Sequence, residues 1–227
     1  MLSLLNGRPV LDEIADRLPY TVLLVSCGMG LAVLLSVPMG FIAALRRNSP
    51  ADALVTSIAV AATSVPAFWF ALMLIDFVAV RWGFLPSSGA GSWQHLIMPS
   101  IVLAATQVGI ITRLVRASVI EVLHADYIRT ARSKGLRLFS ILHHHVLRNA
   151  AVPAVTVIGL QTGLLLGGAV VTESVFSWPG LGRLLIQSVL HRDYPMIQTL
   201  ILVFGIGIII INLAVDLIVA AIDPRLR

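Results

Sequence analysis

Three consecutive histidines, His143, His144 and His145, are the densest group of potential metal ligands in this sequence, and the carboxylates of Asp76, Glu173 and Asp216 lie within or beside long apolar runs. Neither set assembles a reaction centre. Adjacent residues on a helix point about 100° apart, so three neighbouring imidazoles cannot converge on one ion, and an ordinary surface helix accounts for them. Lys134-Gly135 reverses the order of a phosphate-binding loop and has no glycine scaffold ahead of it, so the chain is not expected to split a nucleotide itself. With no nucleophile beside a base, no metal cluster and no carboxylate pair, the sequence predicts no catalytic residue, no metal site and no cofactor of its own.

Polar groups inside apolar runs remain to be explained. Ionisable residues within a membrane are functional candidates by default because burying them is costly. Asp76, Glu173 and Asp216 fall near the ends of their runs, where water or headgroups can reach, so each is either functional or structural. Gln107, Gln161 and Thr162 lie deeper. They either line a pathway or hydrogen-bond between helices, the commoner use.

The elements that must position these residues are membrane helices. Hydrophobic residues make up 58% of the 227 residues, charged ones only 12%, and the mean hydropathy is +0.94. No soluble domain has that balance. The basic isoelectric point is explained by cytoplasmic loops rather than by nucleic acid, which is not an expected partner. A bilayer core needs about 20 apolar residues per helix. Five runs qualify: 18–45, 53–80 with a kink expected at Pro66, 96–112 continuing as helix past Arg113 and Arg116 into the aqueous phase, 150–172 and 196–222. Residues 81–95, rich in Gly, Ser, Pro and Trp, read as an interfacial loop, and 173–195 as a half-polar segment with a Trp-Pro-Gly turn followed by an amphipathic piece. The fold class is therefore an all-α polytopic membrane protein. In the fourth run Gly159, Gly163 and Gly167 recur every four residues, a spacing that brings helices close together in lipid, with lining of a pathway as the alternative.

One polar island interrupts this pattern. Residues 126–149 carry five of the sixteen Lys and Arg, namely Arg129, Arg132, Lys134, Arg137 and Arg148. Tyr127, Ile128 and Ala131 alternate with the charges as in a short amphipathic helix, and Leu138, Phe139, Ile141 and Leu142 suit a second, with Gly135 as the hinge between them. Placing 46–52, 113–150 and 223–227 on one side gathers eleven basic residues there against five on the other, so that side is cytoplasmic. Five spans then leave 1–18 as an external segment and 223–227 as a cytoplasmic tail. The arginines either contact a partner or only anchor the loop through the positive-inside effect.

Residues 129–135, Arg-Thr-Ala-Arg-Ser-Lys-Gly, followed by His145-Val146-Leu147-Arg148-Asn149-Ala150 and Pro153, resemble the cytoplasmic EAA loop of permeases from binding-protein-dependent ABC importers, in their peptide and nickel branch. Arg129 stands where the general family has glutamate. Gly7-Arg8-Pro9-Val10, Arg17-Leu18-Pro19, the run Val175-Phe176-Ser177-Trp178-Pro179-Gly180-Leu181-Gly182, and Asn212 through Asp216 to Asp223-Pro224-Arg225 agree with that branch. The resemblance covers nearly the whole chain. It implies a type I importer permease fold over 19–222, here without the helix and external segment that usually precede the Gly-Arg-Pro-Val motif.

The same resemblance implies a coupling helix in loop 113–150, with Asp126, Tyr127, Arg129, Thr130, Ala131, Arg132, Lys134, Gly135 and Leu136 facing an ATPase subunit. Closure of the ATPases would move 126–142 as a lever. The implied partners are a second homologous permease, two ATPase subunits that hold ATP and Mg, an external solute-binding protein and the lipid bilayer of a prokaryotic inner membrane. Dipeptides or oligopeptides are the expected substrates, with nickel complexes or glutathione as alternatives. In a different class stands an ATP-independent carrier or scaffold, which would more often show a midplane carboxylate or inverted repeats.

Overall fold

A computed structural model describes residues 2–3, 7–135, 138–141 and 146–222. Nine α-helices are present among them: α1 Val10–Leu45, α2 Pro50–Ser64, α3 Ala67–Leu74, α4 Gln94–Leu123, α5 Asp126–Ser133, α6 Leu138–Ile141, α7 Leu147–Val175, α8 Leu181–Leu190 and α9 Tyr194–Ile222. The described residues contain no strand beyond an isolated bridge between Leu2 and Pro9. Four helices are long and apolar enough to cross a membrane, and α2 with α3 and its continuation, bent by 95° at their break, brings the number to five when the pair is counted as one span. The expected five spans correspond to that upper count.

Local sequence explains several boundaries. The second span breaks at Val65–Pro66, since Pro66 has no N–H to donate and restricts the residue before it. Beyond α3 the chain widens into a π-helix, Ile75–Arg81, which ends with the Trp82 N–H on the Phe77 carbonyl, and Arg81 lies over the Phe77 ring at 4.6 Å. The exposed Trp82, Phe84 and Trp93 that follow suit a membrane–water boundary. At the other end, α1 begins at Val10, eight residues before the uncharged run. Part of the segment 1–18 is thus helical, with Val10 and Ile14 buried.

The chain divides into two compact units. The first holds Met1–Leu31, Val65–Thr106 and Thr162–Ile211. Its core has one cluster of Val10, Ile14, Leu181, Leu184, Met196 and Leu200, joining α1, α8 and α9, and another of Ala71, Met98, Val102 and Phe176. Helices α1 and α4 meet at Gly28, where an added Cβ would lie 2.8 Å from Leu103 Cβ.

Glu173 also belongs to this unit and corrects the sequence reading. It does not sit within reach of water but has no exposed surface, because Thr21 of α1 and the start of α8 close over it. Asp76 matches the expectation better, half-exposed and paired with Arg81 at 2.8 Å. On α9, Asp216 of the second unit is exposed.

The second unit holds Ala32–Ser64, Gln107–Gln161 and Asn212–Arg227. Here α4 packs on α1 through Ser36, whose hydroxyl donates to the Val108 carbonyl at 3.2 Å, and through Gly40, where a Cβ would press on Val115 at 2.8 Å. Gly109 brings α4 against α2 so closely that a Cβ there would overlap the Ala59 carbonyl oxygen.

Candidate ATPase-coupling segment

Helix α5 is short, so its register must come from packing rather than propensity. Ile128 and Ala131, three residues apart, are buried, while Tyr127, Arg129, Thr130, Ser133 and Lys134 are exposed. One narrow apolar edge is thus buried, and a polar face is left exposed. Asp126 begins the first turn, where its negative charge meets the positive end of the helix. Arg132 lies within α5. Gly135, just past the helix, has φ +75° and no atom within 4 Å of a hypothetical Cβ, so the backbone conformation alone selects glycine. Leu136, Arg137, Leu142 and the three histidines lie outside the described residues, as does the tail 223–227.

The junction to α4 is tight. After Leu123 the His124 N–H bonds the Glu121 carbonyl and the Ala125 N–H that of Val122, both at 3.1 Å. Ala125 in turn accepts from the N–H of Ile128 at 3.0 Å and of Arg129 at 3.3 Å. Two linking residues whose amides are all bonded transmit displacement better than a slack loop.

Two turns before the end of α4, Arg116 makes a contact the sequence reading did not foresee. Its Nε and Nη2 donate to the two carboxylate oxygens of Asp52 at 2.6 and 2.7 Å. Helix α4 does run past Arg116, as expected, but that arginine is bound to α2 rather than solvated. Asp52 occupies the first turn of α2. Ser49 accepts the Asp52 N–H at 3.4 Å, Pro50 follows in the position where a missing N–H costs nothing, and Asp52 accepts the Asn48 N–H at 3.0 Å. An acidic residue at a helix start reads in sequence as a dipole partner. Nothing local to it points to a residue 64 positions away.

The remaining candidates are dispersed. Gln107 and Gln161 are buried in the second unit. Thr162 is half-buried in the first and borders a mostly apolar cavity of about 330 Å³ with Thr21, Ser26, Leu166 and Phe204. The glycine stripe is uneven. A Cβ on Gly159 would overlap the Val215 side chain of α9, one on Gly163 would make an ordinary 3.5 Å contact with Ile208, and one on Gly167 would meet nothing. No group of His, Cys, Asp and Glu fit to hold a metal occurs among the described residues.

Comparisons with known proteins agree with this architecture. The family described as "Binding-protein-dependent transport system inner membrane component" matches residues 36–227. The glutathione transport system permease protein GsiC of Escherichia coli (strain K12) is 49% identical over 226 residues, spanning 100% of this chain and 74% of that protein. The GsiC protein of Shigella dysenteriae serotype 1 (strain Sd197) matches to the same extent. Among solved structures, a chain of the MetNI methionine ABC transporter in an inward-facing conformation superposes with a TM-score of 0.82 at 20% identity, covering 95% of this chain and 99% of that one. A chain of an amino acid ABC transporter crystallised with histidines gives 0.74 at 15% identity, covering 93% and 94%. At those identities the structures carry the fold alone, the type I importer permease fold. The family match over most of its length and the 49% identity to a permease along the chain, on a helical membrane architecture of that fold, establish that this chain belongs to the binding-protein-dependent inner-membrane transport components and is a transmembrane permease subunit of an ATP-driven importer.

Proposed function

We propose that the importer carries short peptides, glutathione among them, and that this chain forms the translocation pathway together with a second homologous permease. The observation that carries the substrate class is the 49% identity to glutathione permeases along the entire chain, with no segment set aside. Two ATPase subunits supply hydrolysis, with ATP and Mg held there, so this chain binds no cofactor and catalyses nothing. An external solute-binding protein delivers the substrate. Helix α5 docks on an ATPase through Tyr127, Arg129, Thr130, Lys134 and their neighbours, an assignment supported by their exposure beside the buried Ile128 and Ala131. The orientation that follows places 113–150 and the C-terminus in the cytoplasm, because reversing it would move the basic majority outward.

The test is ATP-dependent uptake by proteoliposomes holding both permeases, the ATPases and the cognate binding protein. Radiolabelled glutathione and a labelled dipeptide should enter with ATP and remain outside without it. Uptake of a nickel–histidine complex in preference to both would replace peptides by metal complexes as the substrate class.

A further inference from the structure

Helices α2 and α4 of the second unit run antiparallel and are fastened at two points. Gly109 abuts Ala59 and Thr63, and seven residues further along each helix Arg116 grips Asp52 with both donors. Two turns span roughly 10 Å of helix, so the fastenings fix both spacing and tilt. They differ in kind. The glycine contact is a smooth van der Waals approach along which helices can slide or roll, whereas a planar guanidinium on a carboxylate fixes direction as well as distance.

We propose that the Asp52–Arg116 pair is the element that passes displacement of the coupling helix α5 on to α2. This rests on the reading of α5 as the ATPase-docking helix. Displacement of α5 reaches α4 through the bonded turn at His124–Ala125. Arg116 is only two turns upstream of that turn, and its guanidinium, itself part-exposed, meets a carboxylate that is buried. Asp52 is held from its own side by the Asn48 N–H and the Thr56 hydroxyl, which leaves the carboxylate little freedom to swivel instead of following. Along the same face of α2, an open groove of about 700 Å³ is bordered by Asp52 itself together with Asn48, Thr56, Ser57 and Val60. Its shape changes whenever α2 moves. Asp52 and Arg116 are positioning residues here and need touch no substrate.

The experiment uses the complete transporter in a Cys27→Ser background with an environment-sensitive fluorophore at either Ser133→Cys on α5 or Ser57→Cys on α2, both exposed positions. Trapping with ATP and vanadate should change the emission of both labels in the otherwise native chain. With Asp52→Asn, the α2 response should fall by at least about fivefold while the α5 response persists, in line with coupling energies of that order. Arg116→Lys, which keeps the charge and loses the two-pronged geometry, should fall between the two, and it supplies the comparison if Asp52→Asn does not assemble. An α2 response equal to native in either variant overturns the proposal, since a pair that only stabilised the fold would lower the yield of complex and leave both responses intact. Silence of the α5 label in the native transporter is a different failure, which removes the coupling-helix reading and the proposal with it.

Discussion

The Thr21 hydroxyl of α1 donates to Glu173 Oε1 of α7 at 2.6 Å and accepts the Leu181 N–H of α8 at 2.8 Å. Glu173 in turn accepts the N–H groups of Gly182 and Arg183, so the open end of α8 is capped by two side chains from other helices. The indole N–H of Trp178 seals the same corner on the Tyr20 carbonyl at 3.0 Å. Thr21→Val keeps the size and deletes a donor and an acceptor, leaving the Leu181 N–H unsatisfied. A loss of about 1–3 kcal/mol is expected, seen as earlier thermal unfolding in detergent. An unchanged midpoint would remove the capping role.

Gly180 stands directly over that carboxyl group, and a Cβ there would overlap it. Gly180→Ala should therefore destabilise in the same assay, although φ at this position is an ordinary extended one. Combining it with Thr21→Val should cost less than the sum of the two, because both disturb one cap. Strict additivity would place the two residues in separate interactions.

Gly135 separates conformation from contact. Its φ is +75° with open space around it, so Gly135→Val should strain the backbone by roughly 1–2 kcal/mol without any clash. Asn tolerates the left-handed region, so Gly135→Asn should be milder. Uptake per ATP hydrolysed in the reconstituted transporter is expected to rank native, then Asn, then Val. Equal coupling by all three would mean that this turn's shape does not matter to transmission.

Along α7 the three glycines should respond unequally. Gly159→Ala forces Val215 aside and should cost about 1–3 kcal/mol, relieved when Val215→Ala is added. Gly163→Ala fits at 3.5 Å, and Gly167→Ala meets nothing, so helix propensity alone would make the latter neutral or stabilising by up to about 1 kcal/mol. Detergent stability of the three variants checks the order, and a penalty at Gly167 as large as at Gly159 would point to a partner helix over the open end.

Topology can be read with single cysteines at Ser87 and Ser133, both exposed, in a Cys27→Ser background. A membrane-impermeant maleimide should label Ser87→Cys in intact cells and Ser133→Cys only after permeabilisation. Labelling of Ser133→Cys in intact cells would invert the orientation and place α5 away from any ATPase.

Much of this protein is local and therefore legible in sequence. Run length against bilayer thickness sets the spans, Pro66 breaks the second because it lacks an N–H, and Gly135 marks a left-handed turn because side chains disfavour that conformation. The amphipathic order of Asp126–Ser133 foretold the burial of Ile128 and Ala131, three residues apart on one side of the helix, whereas Tyr127, expected on the same edge, is exposed. Tertiary structure alone decided the pairings. Asp52 with Arg116, Thr21 with Glu173 and Ser3 with Asp193, the last at 2.5 Å, join residues 64, 152 and 190 positions apart. A carboxylate in an apolar run looks the same in sequence whether it faces headgroups, as expected of Glu173, or caps a distant helix. The glycine stripe shows the same limit: equal spacing places three small residues on one face of α7, but only the path of α9 determines that Gly159 is pressed while Gly167 is open.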